Sequence, residues 1–419
     1  MNRSPYGNRV SVTRRSLLGG TGAALVSGRV RALTAAEKTI KIGVLTDMSG
    51  PYKDLGGPNV VTCIKQAVQD FDAANRGINV EVVFADHQNK PDVGTAIALQ
   101  WLDREGVDCI ADINNSAVAI ALTSITRERD KIQLNTGAGS SDIIGKYCTP
   151  NLVHWTFDSW QITHATCVPM VNRGGKTWFF ITANYAFGHS TERDATAFIT
   201  GVGGKVIGSA AYPFPETTDF SSMIVQAQAS GAQVLGLATS GADNINVIKQ
   251  AAEFGLIQKG MQIAGLGMYI NDVHALGMET SQGLVLSEMF YWNHNDRTRA
   301  FSARVQPKMS GVVPNHEQAG GYSGVFNYLK AVSEIGVARA KKSGRDVVEV
   351  LKRMDLDDDA LGPGKLRVDG QALHPAYLHQ VKKPSESTGP WDVYNLLATV
   401  SADQAFRPLS EEACQLGKG

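Results

Sequence analysis

Two loops that are rich in hydroxyl groups and small residues follow neighbouring predicted strands. Asn114-Asn115-Ser116-Ala117-Val118 follows the third predicted strand, and Thr136-Gly137-Ala138-Gly139-Ser140-Ser141 follows the fourth. Hydroxyl groups and free backbone N–H groups can hold a carboxylate without a basic side chain. Ser116 and Ser140 could instead serve only as helix N-caps. Because the carboxyl ends of parallel strands meet at one edge of a sheet, the two loops together predict an anion site. The candidate residues are Ser116, Ala117, Ala138, Gly139 and Ser140.

Aromatic side chains occupy comparable positions in the second half of the chain. Tyr185 and Phe187 lie just after the strand predicted over residues 176–181, and Tyr269 follows the strand predicted over residues 261–265. Rings on one half that face hydroxyl groups on the other half suit a small, partly apolar ligand in a cleft. The alternative is that these rings only pack at a hinge or on a lobe surface.

Motifs of enzymes and of cofactor sites are absent from the sequence. No Gly-x-Gly-x-x-Gly follows the first strand, and no Gly-x-Ser-x-Gly occurs. The nine histidines are scattered, so neither a metal nor a cofactor is predicted. We therefore expect a protein that is not an enzyme. An enzyme on the same scaffold would need an acid–base pair, and His154 and Asp158 are the nearest candidates.

Predicted strands and helices alternate through two stretches of the chain, and the pattern restarts after Trp160. Such alternation predicts parallel sheets with right-handed crossovers. The expected fold class is therefore α/β, with two Rossmann-like three-layer lobes joined by a hinge that the chain crosses several times. The expected boundaries are 38–158 with about 290–364 for the N-terminal lobe, 159–289 with about 365–400 for the C-terminal lobe, and 401–419 for a tail.

The first 35 residues have the composition of an export signal. They contain six arginines and no acidic residue, and Arg14-Arg15-Ser16-Leu17-Leu18 precedes an uncharged stretch rich in Gly and Ala. The arginine pair resembles the twin-arginine type of signal, which exports folded proteins. A Sec signal and a cytosolic basic tail are the alternatives. Without this segment 34 basic residues remain against 40 acidic ones, which argues against a nucleic-acid partner.

The five cysteines form no Cys-x-x-Cys pair, so a zinc ribbon or a thioredoxin-type site is not supported. Cys148 and Cys414 both lie in polar surroundings, and a disulfide between them would fasten the C-terminal tail. Cys63 and Cys109 fall on apolar positions of a helix and a strand, where buried thiols are expected unless they also pair.

The order and spacing of several segments resemble those of a known family. Lys41-Ile42-Gly43-Val44-Leu45-Thr46-Asp47-Met48-Ser49-Gly50-Pro51 opens the chain after the signal, and Tyr185-Ala186-Phe187-Gly188 and Gln250-Ala251-Ala252-Glu253-Phe254-Gly255 follow. The chain resembles the periplasmic solute-binding proteins of ABC importers, in the Leu/Ile/Val-binding (type I) group. The resemblance covers about residues 38–400.

The resemblance implies how a ligand is held. A Ser at the start of the third helix and the amides of a Gly-Ala-Thr loop bind the ligand's carboxylate in that family, and these positions fall on Ser116 and Gly137-Ala138-Gly139. Amino-acid-binding members place an acid after the strand that ends here at Gly265, but Leu266-Gly267-Met268-Tyr269 contains none. We therefore expect a carboxylate with an apolar or aromatic body. An amino acid, paired through Asp243, is the alternative.

The resemblance also implies the partners and the location. The chain is expected to be a periplasmic monomer that closes on its ligand and docks on the membrane permease subunits of an importer. A ligand-sensing receptor domain is the second alternative.

Overall fold

A computed structural model describes residues 38–411 and 413–416 of the 419-residue chain. The expected export signal, residues 1–35, lies outside the described residues. The strands are β1 (Thr39–Thr46), β2 (Asn79–Asp86), β3 (Cys109–Asp112), β4 (Ile132–Asn135), β5 (Leu152–His154), β6 (Thr177–Ala183), β7 (Lys205–Tyr212), β8 (Val234–Ala238), β9 (Gln262–Gly265), β10 (Val285–Glu288), β11 (Lys365–Leu366), β12 (Ala372–Leu373), β13 (Ala376–Val381) and β14 (Tyr394–Val400). The α-helices are α1 (Gly57–Phe71), α2 (Pro91–Gln100), α3 (Ser116–Glu128), α4 (Ser159–Asn172), α5 (Ala186–Gly201), α6 (Ser221–Ser230), α7 (Ala242–Glu253), α8 (Ile270–Leu276), α9 (Met278–Ser281), α10 (Asp296–Val305), α11 (His316–Ile335), α12 (Val337–Lys342), α13 (Gly344–Arg353) and α14 (Ala402–Ala405).

The first lobe is built on five parallel strands in the order β2-β1-β3-β4-β5. Ile42 of β1 pairs with Cys109 of β3, which pairs with Ile132 of β4, and all three side chains are fully buried. Such strands are rich in apolar residues because helices cover both faces of a parallel sheet. The loops after β1, β3 and β4 therefore emerge at the same edge of the sheet.

The second lobe contains four parallel strands in the order β7-β6-β8-β9. A smaller antiparallel sheet, β10-β13-β14, completes it. The two parallel sheets confirm the predicted α/β class with two lobes.

The C-terminal third of the chain contributes to both lobes. Tyr322 of α11 donates a hydrogen bond to Asp70 of α1 (2.9 Å), so this long helix packs on the first lobe. Residues 365–373 were predicted to belong to the second lobe, but they contact the first. The Gln371 side chain donates hydrogen bonds to the carbonyl oxygens of His154 (3.3 Å) and Thr156 (3.2 Å). We therefore propose that the chain returns to the second lobe after Leu373 rather than at residue 365.

The two lobes share apolar contacts. Phe187 and Tyr269 of the second lobe belong to the same cluster of buried side chains as Phe157 and Leu55 of the first. This continuous packing across the boundary is what a closed arrangement of the lobes requires.

The five cysteines form one disulfide and leave three free thiols. Cys148 and Cys414, the pair considered in the sequence analysis, are joined by a disulfide with a Cα–Cα distance of 5.8 Å. Cys63, Cys109 and Cys167 are buried free thiols.

Among residues 38–411 and 413–416, none of the helices combines the length and the apolar character that crossing a membrane requires.

Candidate functional site

A small cavity lies between the lobes, at the carboxyl ends of β1, β3 and β4. The first lobe lines it with residues from four loops and from the start of α11, namely Tyr52, Leu55, Asn114, Ser116, Gly137, Ala138, Gly139, Phe157 and Glu317. The second lobe contributes Tyr185, Phe187, Ser240 and Tyr269. The structure thus brings together Ser116, Ala138, Gly139, Tyr185, Phe187 and Tyr269 of the eight predicted site residues.

Ser116 is free to bind a ligand because its neighbour caps the helix. The side chain of Asn115 accepts the N–H groups of Ala117 (3.0 Å) and Val118 (3.1 Å), so Ser116 is not the N-cap of α3. The Ser116 hydroxyl oxygen accepts the N–H of Ser140 (3.1 Å). No described residue accepts its own proton, which can therefore be donated to an acceptor in the cavity.

Gly139 supplies a second donor to the same corner. Among the described residues none accepts its backbone N–H, whereas the N–H groups of Ala138 and Ser140 are bonded to the Asn135 and Ser116 side chains. A hydroxyl and a backbone N–H that face one small volume can hold a carboxylate.

Two of the predicted residues support this corner from behind rather than lining it. The N–H of Ala117 is used by the Asn115 cap. Ser140 is fully buried, and its hydroxyl accepts the N–H of Asp142 (3.3 Å). Their side chains do not reach the cavity, so a direct role in binding is not expected for them.

An unusual backbone turn aims the loop after β3 at the cavity. Asp112 (φ 73°) and Ile113 (φ 62°) both adopt the left-handed region, which is rare for a β-branched residue. The carbonyl oxygen of Asp112 accepts the N–H groups of Thr136 (3.0 Å) and Gly137 (3.2 Å), which fastens this turn to the loop after β4. Strained backbone of this kind is typical of binding sites.

Aromatic rings from both lobes cover the cavity. The Tyr52 and Tyr185 hydroxyl groups are hydrogen-bonded to each other across the lobes (2.6 Å). Phe214 stacks on Tyr185 (ring centroids 4.5 Å apart) and on Tyr52 (5.0 Å). We call Tyr52, Tyr185 and Phe214 the aromatic cover. Tyr52 and Phe214 were not predicted; Tyr52 follows the first strand, and that position was its only signal in the sequence.

A second aromatic group forms the opposite wall. Phe157 stacks on His316 (4.6 Å), and Tyr269 meets both rings edge-on (5.7 Å and 4.2 Å). Burial lowers the pKa of His316 to about 3, so the ring is neutral and packs as an apolar group. Phe157 was not predicted because it follows a three-residue strand, β5, that the sequence pattern does not reveal.

Glu317 is the acidic residue of the site, and the sequence analysis missed it. Its side chain is 1% exposed, and its Oε1 atom makes no hydrogen bond with any described residue. Burial raises the pKa of Glu317 well above its usual value, and the nearby Asp112 and Asp47 carboxyl groups raise it further.

Asp243, which was considered as a partner for an ammonium, lies outside the cavity. Its carboxylate accepts a hydrogen bond from the Tyr212 hydroxyl (2.7 Å), and burial raises its pKa to about 6. It therefore stabilises the second lobe behind the aromatic cover.

The acid–base pair that an enzyme would need does not line the cavity. Burial lowers the pKa of His154 to about 4, and its ring is bonded to the Asn135 side chain and the Phe157 carbonyl oxygen. Asp158 accepts the N–H of Gln161 as the N-cap of α4. Within the part of the chain that the structure describes, no group of three or more His, Cys, Asp or Glu side chains could hold a metal ion.

Glu288, near His316, should make the stability of the protein pH-dependent. Its Oε1 accepts the Tyr394 hydroxyl (2.7 Å), and burial raises its pKa from 4.5 to about 8. The folded state therefore holds this proton more tightly than the unfolded state, so stability falls as the pH rises from about 4.5 to about 8. We expect Glu288→Gln to unfold at a higher temperature than the wild type at pH 8 and at a similar temperature at pH 4.5.

Thermal unfolding measured across this range tests the prediction. Because one pKa unit corresponds to about 1.4 kcal/mol, the advantage at pH 8 should reach at least about 1 kcal/mol. Glu253→Gln, at an exposed position, is the matched control. Parallel pH profiles for wild type and Glu288→Gln would contradict the assignment.

Comparison with known proteins identifies relatives of the whole chain. The family model for periplasmic binding proteins matches residues 39–389. A periplasmic binding protein from Burkholderia mallei is 44% identical, with 90% of this chain and 99% of that one aligned and a TM-score of 0.86. A branched chain amino acid ABC transporter periplasmic ligand-binding protein from Burkholderia xenovorans LB400 is 38% identical, with 90% and 100% aligned and a TM-score of 0.77. An ABC transporter solute binding protein from R. palustris, in complex with 4-hydroxybenzoate, shares the fold at 22% identity, with 89% and 100% aligned and a TM-score of 0.79.

Proposed function

This chain belongs to the periplasmic binding protein family, and from that premise we propose that it captures a small carboxylate with an apolar or aromatic body and delivers it to the permease subunits of an ABC importer. The observation that carries the proposal is the corner formed by the Ser116 hydroxyl and the Gly139 N–H beside two aromatic walls. The corner suits the charged end of the ligand, and the walls suit its apolar body.

Lobe closure is the proposed mechanism of capture. Residues from both lobes line the cavity, and Tyr52 and Tyr185 are bonded across it (2.6 Å). A ligand that contacts both lobes stabilises the closed arrangement relative to the open one. The permease subunits would then distinguish the loaded, closed protein from the open one.

An amino acid is the second candidate ligand. The observation that favours it is Glu317, an acid that lines the cavity and whose Oε1 atom makes no hydrogen bond within residues 38–411 and 413–416. The related protein from Burkholderia xenovorans is described as a branched chain amino acid transporter component, whereas the R. palustris structure holds 4-hydroxybenzoate. Both ligand classes carry the carboxylate that the Ser116 corner would bind.

A ligand panel tests the function. Benzoate, 4-hydroxybenzoate, 3-phenylpropanoate, L-phenylalanine and L-leucine should be compared by thermal shift and then by calorimetric titration. We expect at least one of these carboxylates to raise the unfolding temperature and to bind with measurable affinity. The corresponding uncharged amides, such as benzamide, serve as controls. If none of the carboxylates binds to the folded protein, or if the amides bind as tightly, the carboxylate assignment is wrong.

We propose that the protein reaches the periplasm through the twin-arginine export route. The motif Arg14-Arg15 within an acid-free segment supports it. Replacing both arginines with lysine should retain the precursor in the cytoplasm, as measured by cell fractionation. Replacing Arg29 and Arg31 with lysine is the matched control. Undiminished export of the Arg14→Lys, Arg15→Lys variant would indicate a Sec signal instead.

A further inference from the structure

Glu317 lies on the floor of the cavity, where two loops leave room for its carboxyl group. It is the second residue of α11 and is 1% exposed. A Cβ atom added to Gly56 would lie 2.5 Å from its Oε1 atom, and one added to Gly137 would lie 2.8 Å away. Both loops therefore approach the carboxyl group closely, and they do so with backbone rather than with side chains.

In the part of the chain that the structure describes, no positive charge compensates this carboxyl group. Neither lysine nor arginine lines the cavity. The ionisable groups that face Glu317 from the neighbouring elements are the carboxyl groups of Asp47, Asp112 and Asp272 and the phenols of Tyr185 and Tyr269. The neighbouring Asn114 side chain lowers the pKa of Glu317, and its amide also donates to the Tyr52 carbonyl oxygen (3.2 Å). Oε1 is left without a hydrogen bond among the described residues.

A buried acceptor without a donor destabilises a folded protein unless a ligand supplies the donor. Two neighbouring side chains of this corner are well bonded: Asp47 accepts the N–H groups of Gly50 (2.7 Å) and Tyr52 (2.8 Å), and Asn114 accepts the N–H of Asp47 (2.8 Å). Glu317, whose Oε1 atom has no hydrogen bond among the described residues, is one of the residues that line the cavity.

The distance to the Ser116 corner limits what could reach both groups. Gly137 is next to Glu317, and Gly139, which offers its N–H to a carboxylate, lies two residues further along. Two residues of extended chain span at most about 7 Å. One small molecule can therefore contact the Glu317 carboxyl group and the carboxylate-binding corner at the same time.

We propose that Glu317 is a specificity-determining residue that selects carboxylates bearing a hydrogen-bond donor, a hydroxyl or an ammonium, within about 7 Å of the carboxylate. This inference rests on the proposed function, since it presumes that the ligand carboxylate occupies the Ser116 corner. A hydroxyl donates to Glu317 whether the acid is protonated or ionised. An ammonium pairs with the ionised acid and releases its proton on binding.

Three series of matched ligands test whether a hydroxyl or an ammonium group strengthens the binding of a carboxylate. One series is 3-phenylpropanoate, 3-phenyllactate and L-phenylalanine, a second is 4-methylpentanoate, 2-hydroxy-4-methylpentanoate and L-leucine, and a third is benzoate and 4-hydroxybenzoate. Dissociation constants should be measured by calorimetric titration for the wild type, Glu317→Leu and Glu317→Gln. Glu288→Gln is the matched control, because Glu288 is also a buried acid but does not line the cavity.

We expect the donor-bearing member of at least one series to bind the wild type roughly 10-fold more tightly than its parent acid, because its donor satisfies a buried acceptor that is otherwise left without a hydrogen bond. This ratio should fall below about 3-fold in Glu317→Leu, while the parent acid keeps its affinity. Glu317→Gln separates the two donors, because it should keep most of the preference for a hydroxyl and lose the preference for an ammonium. Glu288→Gln should keep the wild-type ratios.

Two different results would contradict the role of Glu317 and the binding of carboxylates. If the wild type binds the parent acids and shows no preference for a donor, or if Glu317→Leu keeps the preference, Glu317 is not the selecting residue and carboxylate binding stands. If the wild type binds no member of any series, the proposed function fails with it. The unfolding temperature of Glu317→Leu should be at least as high as that of the wild type, because the variant removes an unpaired buried carboxyl group.

Discussion

Replacing Ser116 with alanine is expected to weaken the binding of a carboxylate ligand by roughly 10- to 100-fold, the range that corresponds to one hydrogen bond to a charged group. The variant removes the hydroxyl donor of the anion site. It also removes the acceptor of the Ser140 N–H (3.1 Å), so the loop that carries Gly139 loses one of its attachments to α3. Both losses act on the same ligand group, which is why this substitution should have the largest effect on affinity.

Titration of the tightest carboxylate of the panel into wild type and Ser116→Ala measures this loss. Ser222→Ala, at an exposed position of α6, is the matched control and should bind like the wild type. The unfolding temperature of unliganded Ser116→Ala should fall only slightly, because the Asn115 cap that holds the start of α3 is retained. An affinity within 2-fold of the wild type would place the ligand carboxylate elsewhere.

Gly139→Ala is the second substitution for which we expect a large effect, on both stability and binding. A Cβ atom at this position would lie 2.4 Å from the Phe157 ring and 3.0 Å from the Phe187 ring. Phe157 cannot move aside easily, because it is packed between His316 and Tyr269. Overpacking of this kind costs about 1–3 kcal/mol. The displaced loop would also carry the Gly139 N–H out of position, so affinity should fall at least about 10-fold.

Thermal unfolding and the same titration test both parts of this prediction. Gly201→Ala is the matched control, since a Cβ atom there would meet nothing within 4 Å. Gly201 is exposed at the end of α5, so this control should unfold at or slightly above the wild-type temperature. A Gly139→Ala protein with unchanged stability and affinity would show that the rings around this loop rearrange freely.

The parts of the site that could be predicted from the sequence are those determined by local order along the chain. Ser116 and Gly139 directly follow buried strands, and the rule that parallel strands share an edge brings their loops together without any knowledge of packing. Tyr185 and Tyr269 follow the same rule in the second lobe. The alternation of strands and helices gives the fold class for the same reason, because each element shows its own periodicity.

The parts that could not be predicted depend on contacts between distant segments. Glu317 reaches the cavity only because α11 packs on α1, which lies some 250 residues earlier in the chain, as the Tyr322–Asp70 hydrogen bond shows. Phe157 depends on β5, whose three residues become a strand by pairing with β4. Residues 365–373 return to the first lobe through the Gln371 side chain, and a single glutamine gives no pattern that a sequence reader could recognise.

The disulfide between Cys148 and Cys414 has a practical consequence for anyone who labels or expresses this protein. A reporter attached beside Cys414, for example at Gln415, is held close to a fixed point on the first lobe. It would follow that lobe when the molecule opens, so a second label on the other lobe could report closure as a change in separation. Preparations made in a reducing cytoplasm would lack this anchor, and their fluorescence response should be compared with that of oxidised material.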